Sequence, residues 1–152
     1  MKVIDILNNT DKPVFSFELV PPLKGGDINK IYEAIEPLIA LAPPFINITF
    51  HRDEVVYREY PDGTIKKVTV TKRPGSVALA AAIMRRYNVD MVPHIVCGGA
   101  TRHKIENELI DLNFLDIENV MALRGDPIPG ERFFTPEEGG HRYSCELVEQ
   151  IT

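Results

Sequence analysis

The chain has no tryptophan, two cysteines among its 152 residues, and 8% aromatics. Cys97 and Cys145 are too few for a disulfide scaffold, and in a cytosolic chain both are expected as reduced thiols. With so few aromatics, the apolar share of 44% is mostly aliphatic, as parallel-sheet strands usually are. Long hydrophobic runs are also missing. The longest, Ile35 to Ile48, is interrupted by Glu36, Asn47 and three prolines, and it falls short of the roughly 20 residues that span a bilayer. There is no surplus of positive charge: the net charge is −5 with Lys and Arg scattered, which argues against a nucleic-acid surface. Met1-Lys2-Val3-Ile4-Asp5 turns polar at once, unlike a signal peptide. These absences predict a cytoplasmic protein with no membrane or nucleic-acid partner, about one domain in size and large enough for a core.

What is present is alternation. Val14–Val20 is a β-rich run ended by Pro21-Pro22, and Lys24-Gly25-Gly26 makes a loop. Asp27 is a good N-cap for a helix from Ile28 to about Leu41, with apolar residues at helical spacing. Phe45–Phe50 reads as a second strand. Val55–Tyr60 and Thr64–Val70 then flank Pro61-Asp62-Gly63, a hairpin signal, so a β-ribbon is predicted as an insertion after strand two. Ser76 is expected to cap a helix through Tyr87. Asp90–Cys97 is the third strand, followed by Gly98-Gly99 and a Thr101-capped helix to about Leu112. Ile117–Leu123 is the fourth strand. A Pro- and Gly-rich loop, Pro127 to Gly140, precedes a last helix from about Arg142. This β-α order predicts parallel strands with right-handed crossovers. It fits either a small open sheet or half of an eight-stranded barrel.

Ligands of parallel α/β folds bind at the C-terminal strand ends, so the polar residues there are the candidates. They are Glu18, Thr49, His94, and Arg124 with Asp126. Glu18 lies between Phe17 and Leu19, and apolar surroundings would keep a proton on it for general acid work. Val120–Leu123 stops abruptly in Arg124-Gly125-Asp126-Pro127, where Gly125 permits a sharp turn and Pro127 ends the ladder. Glu18, His94, Arg124 and Asp126 also have plainer readings: an acid on a solvated face, a histidine satisfied by a strand carbonyl, a surface arginine, a turn-forming aspartate. Gly98-Gly99 before a capped helix is a weak phosphate-loop signal. His94, Cys97 and His103 are too loosely spaced for a structural zinc site.

Four motifs add up to a family. Phe15-Ser16-Phe17-Glu18 with Pro21-Pro22, Asn47-Ile48-Thr49-Phe50, Pro93-His94-Ile95-Val96-Cys97, and Ala122-Leu123-Arg124-Gly125-Asp126-Pro127 occur in that order. Together they closely resemble methylenetetrahydrofolate reductase. The resemblance implies a (β/α)8 TIM barrel holding FAD, which reduces 5,10-methylenetetrahydrofolate to 5-methyltetrahydrofolate with electrons from NADH or NADPH. It implies that Glu18 is the proton donor that helps open the folate ring to an iminium. Asp126 would be the acid beside flavin and pterin, so both acids also touch the folate substrate. Thr49 and Phe50 match positions lining flavin and nicotinamide. His94, Leu123, Arg124, Gly125, Tyr143 and Ser144 match flavin contacts.

Two departures accompany the resemblance. The family barrel has eight strands and this chain supplies about four, so it looks like the N-terminal half, with the remaining contacts beyond Thr152. The predicted hairpin is also longer than the usual loop of bacterial members. Four strands without partners leave open edges and an uncovered interior, which predicts a homo-oligomer. The competing readings are a non-catalytic half-barrel or binding module, and another barrel enzyme acting on a phosphorylated metabolite through Gly98-Gly99.

Overall fold

The computed structural model describes residues 1–128 and 131–152. Its elements follow as α1 (Val3–Asn8), β1 (Phe17–Leu19), α2 (Ile28–Ile39), β2 (Phe45–Ile48), β3 (Glu54–Glu59), β4 (Ile65–Val70), α3 (Ser76–Tyr87), β5 (Asp90–Val96), α4 (Arg102–Phe114), β6 (Met121–Leu123) and α5 (Ser144–Ile151). Pro129 and Gly130, part of the expected Pro127–Gly140 loop, lie outside the described residues.

Four strands form one parallel sheet in the order β1-β2-β5-β6, which is also their order along the chain. Each strand is added on the same side as the last. With right-handed crossovers, a sheet that grows in one direction receives all its helices on one face. A sheet whose order reverses receives them on both. The alternation of the sequence could not separate these cases, and the strand order does. No closed barrel forms among the described residues: the sheet has four strands, with β1 and β6 at its edges.

The register sorts the side chains by face, because neighbours in a strand point opposite ways. Phe17 and Leu19, Ile46 and Ile48, and Met91, Ile95 and Cys97 face the helices, where Ile35, Leu79, Ile83, Ile105, Leu112 and Leu147 complete the core. α3 packs on β2 and β5, and α5 on β6. Each isoleucine withdrawn from water here contributes about 1.5–3 kcal/mol. The opposite face carries Glu18, Asn47, Val92, His94 and Met121. Val92 is buried yet takes no part in the helix-side cluster.

Pro93 sits in the middle of the sheet, where a missing N–H normally breaks a ladder. It is tolerated because the pairing changes hands at that point. β2 pairs with β5 up to Ile48↔Pro93, and β6 begins at His94↔Met121.

Asp27 caps α2 through a bond from the Asn29 N–H (2.9 Å), and Thr101 caps α4 through Lys104 N (3.2 Å). Ser76 does not cap α3. Gly75 takes that position, and the buried Ser76 Oγ donates instead to the His94 carbonyl at 3.1 Å. β6 is shorter than the expected strand Ile117–Leu123, since Asn119 is drawn away to bond Val3 N and Met1 O, each at 2.8 Å. Those bonds hold α1, a helix with no buried residue and no side-chain cap, which explains why the sequence pattern did not announce it. The ribbon after β2 forms as an antiparallel pair, β3 with β4.

Candidate functional site

The sheet ends in parallel, so the loops after β1, β2, β5 and β6 gather at one end. Glu18 stands on the open face of β1 with its side chain 56% exposed. The apolar flank expected to enclose it does not: Phe17 and Leu19 point to the helix side, as the two-residue period of a strand requires. What stands beside it is His94. The buried His94 Nε2 lies 3.6 Å from Glu18 Oε2 and has no hydrogen-bond partner among the described residues.

Burial holds His94 below the usual histidine range, opposed by the Glu18 carboxylate. His51, in the loop after β2, is lowered too, first by burial and then by the charge of Arg73. The sign of the consequence is fixed. Native His94 stays neutral while the unfolded chain takes up a proton below about pH 6.5. Stability therefore falls as pH drops below that value, until the native histidines also protonate. The melting temperature is expected to decline from pH 7.5 to 5.5, and the decline should be shallower in His94→Gln. An unchanged slope in that variant would remove His94 as its origin.

Asn47 was not singled out by sequence reasoning, although an amide inside Phe45-Ile46-Asn47-Ile48 opposite an acid was the available signal. It is buried and registers with Glu18. Its Nδ2 donates to Ser16 Oγ at 3.3 Å, and its Oδ1 has no partner among the described residues. Thr49 follows β2, where its Oγ1 donates to the Leu19 carbonyl (3.3 Å) and lies 3.2 Å from His51 Nε2. Phe50 is not brought to this face. It shares the side of Ile46 and Ile48 and lines a separate cleft with Ser76, Val77, Glu108 and Phe114, under the Lys104 ammonium.

At the tip of β6 a cleft of about 540 Å³ is lined by Leu123, Arg124, Gly125, Asp126, Tyr143 and Ser144. Gly125 has φ +84°, and a Cβ there would meet Val96 Cγ1 at 2.5 Å. The turn therefore presses directly on β5, and only glycine fits. Arg124 leans over the Phe134 ring, 5.4 Å from its centroid. Tyr143 and Ser144 are held at the start of α5 by two devices. Glu146 accepts from the Arg142 and Tyr143 N–H groups at 2.7 and 3.3 Å, which lowers its carboxyl below the usual range. The buried His141 bonds Gln150, which in turn donates to the Arg102 carbonyl at 2.9 Å.

Gly98-Gly99 has a packing explanation. A Cβ on Gly98 would come within 3.3 Å of Phe134, and Gly99 has φ +76° beneath Arg52. Cys97 is buried and Cys145 exposed, both free, and burial raises the Cys97 thiol. Among the described residues no group of three or more His, Cys, Asp or Glu could hold a metal. No described helix is long and apolar enough to cross a membrane.

The family model described as methylenetetrahydrofolate reductase matches residues 2–152. The chain belongs to this family. Curated relatives agree. It is 27% identical to "Methylenetetrahydrofolate reductase (NADH) 1" of Arabidopsis thaliana over 99% of this chain and 23% of the relative. It is 28% identical to "Methylenetetrahydrofolate reductase 1" of Schizosaccharomyces pombe, again over 99% of this chain and 23% of the relative. It is 26% identical to "5,10-methylenetetrahydrofolate reductase" of Salmonella typhimurium over 88% of this chain and 38% of the relative. The chain thus spans about a quarter of the plant and yeast reductases and well under half of the bacterial one. The fold of methylenetetrahydrofolate reductases is a TIM barrel, and a one-directional parallel sheet with helices on one face is compatible with part of such a barrel.

Proposed function

We propose that this chain carries the proton-handling end and part of the flavin cleft of an FAD-dependent methylenetetrahydrofolate reductase. In this reading the sheet is the first half of the barrel. Its open face, with Glu18, Asn47 and His94, looks into the interior, and the edges at β1 and β6 continue into further strands or a second copy. The whole protein reduces 5,10-methylenetetrahydrofolate to 5-methyltetrahydrofolate with NADH or NADPH as electron donor. The observation that carries the reading is the Glu18–His94 pair at 3.6 Å on the sheet face opposite the helix-side core.

The residues present suit a flavin. Among the described residues the buried Asn47 Oδ1 and His94 Nε2 have no hydrogen-bond partner, and a heteroaromatic ring edge with donors and acceptors satisfies such atoms. The β6 cleft adds an apolar wall at Leu123 and a cation at Arg124. His94, Thr49, Arg124, Gly125, Tyr143 and Ser144 are the residues that would hold the flavin. When bound, it supplies the hydride chemistry, and the protein supplies orientation and charge.

Glu18 delivers a proton to a ring nitrogen of the folate, which opens the five-membered ring to a cationic iminium. Burial holds His94 below the usual histidine range, so a neutral imidazole stands beside Glu18. Asp126, exposed at the β6 tip, offers a carboxylate that favours the cation.

The test is the visible spectrum of the purified protein after mixing with FAD and desalting, then after adding NADH. Retained flavin absorbance that NADH bleaches is the expected result. A protein that stays colourless counts against the flavin assignment, and retained flavin that NADH does not bleach favours a binding module.

A further inference from the structure

The β3–β4 ribbon has no part in the chemistry above, yet both of its roots are tied to the loops that do. Arg52, between β2 and β3, reaches across the strand ends and donates from Nη2 to the Pro127 carbonyl at 2.6 Å. On the way it lies over the diglycine turn: a Cβ on Gly99 would be 3.5 Å from Arg52 Cβ, and one on Gly98 would be 3.7 Å from Nη1. Gly98 N–H donates to the Arg124 carbonyl at 3.1 Å. The turn from Arg124 to Pro127 is therefore held at its first carbonyl by Gly98 and at its last by Arg52, with Asp126 between. At the other root, Arg73 donates to the Pro21 carbonyl, and Lys24 N–H donates to the Lys72 carbonyl at 2.7 Å. Lys72 Nζ meets Glu54 Oε2 at 2.5 Å, joining the two roots. The ribbon between them is paired from Glu54↔Val70 to Glu59↔Ile65. It bridges the loop that follows Glu18 and the loop that carries Asp126.

We propose that Arg52 is a positioning residue for the Asp126 turn and that the ribbon holds it in place. The proposal rests on the reading of Asp126 as the acid facing folate. A charged donor on a half-buried carbonyl makes a stronger bond than a neutral one. The Arg52 stem covers Gly99 while Nη1 lies by Gly98, and a forked guanidinium can reach past both to donate, where the single-point ammonium of lysine offers no such fork. Among the described residues neither Arg52 nor Arg73 has a carboxylate partner, so the main-chain carbonyl is what fixes each of them.

Hydrogen–deuterium exchange over residues 123–128 tests this directly, alongside the two half-reactions, in wild type, Arg52→Ala and Arg52→Lys. Arg52→Ala is expected to raise exchange there about tenfold, the size of one lost charge-assisted hydrogen bond, with β2 and β5 unchanged. Folate reduction should fall about tenfold or more, and flavin bleaching by NADH by much less. Arg52→Lys, which keeps a charged donor but not the guanidinium fork, should fall between. Unchanged exchange over 123–128 in Arg52→Ala overturns the proposal whatever the activity. If Arg52→Ala unfolds the protein, Arg52→Lys decides, and wild-type exchange and kinetics there overturn it. Raised exchange in a protein that neither binds flavin nor reduces folate would leave the clamp standing and refute the functional reading instead.

Discussion

Glu18→Gln is expected to stop folate reduction while NADH still bleaches the flavin. The amide keeps the size and the hydrogen-bonding edge of the carboxyl but cannot give up a proton at the folate nitrogen. A positioned general acid is worth about 10²–10⁴-fold, so the folate half-reaction should slow by about a thousandfold. The NADH half-reaction needs no such proton and should stay within about threefold of wild type. Folding should not suffer, because Glu18 lies on the open face with its side chain half exposed, while the core is built from Phe17 and Leu19 on the other side. Stopped-flow measurement of each half-reaction separates the two. Equal loss in both would show that Glu18 serves the flavin rather than the folate, and the proton-donor role would be wrong.

Gly125→Ala should damage stability and site together. The backbone at Gly125 is in the left-handed region at φ +84°, and the added methyl would stand 2.5 Å from Val96 Cγ1. The left-handed conformation costs an L-residue about 1–2 kcal/mol, and forcing a methyl into packed space costs about 1–3 more. The sum, about 2–5 kcal/mol, corresponds to a drop in melting temperature of about 5–15 °C. The turn can relieve the clash only by lifting off β5, and that moves Arg124 and Asp126, so flavin affinity should fall as well. Adding Val96→Ala to Gly125→Ala removes the clash but not the strained φ, and should recover only part of the loss. Calorimetry of the two single variants and the double gives that coupling. A melting temperature within a degree of wild type for Gly125→Ala would show that the turn need not press on β5.

The sequence made the alternation of strands and helices legible because it is written in local chemistry. Asp27 and Thr101 cap helices by bonding N–H groups two or three residues on, and Asp62-Gly63 closes a hairpin between neighbouring runs. Boundaries were less legible where distant partners compete. Ser76 reads as a cap in isolation, yet its hydroxyl is taken by the His94 carbonyl eighteen residues away. The run from Ile117 reads as strand, yet Asn119 is claimed by the N-terminal helix. The site was legible in its residue types, but Asn47 and Arg52 were not. An amide in an apolar strand and an arginine in a loop acquire meaning only from what lies across the sheet.

By itself, the sequence determined the family, the parallel α/β class, the ribbon, and the residue types at the strand ends. These follow from spacing and side-chain chemistry along a single stretch of chain. Which face each strand residue occupies, and with whom, was decided by tertiary structure. Phe17, Glu18 and Leu19 read as one strand with no assigned faces until pairing with β2 fixes the pleat, sending Glu18 to the open face beside His94 and its neighbours to the core. Strand order had the same origin. Only hydrogen bonding between segments far apart in the chain could show that the sheet grows one way.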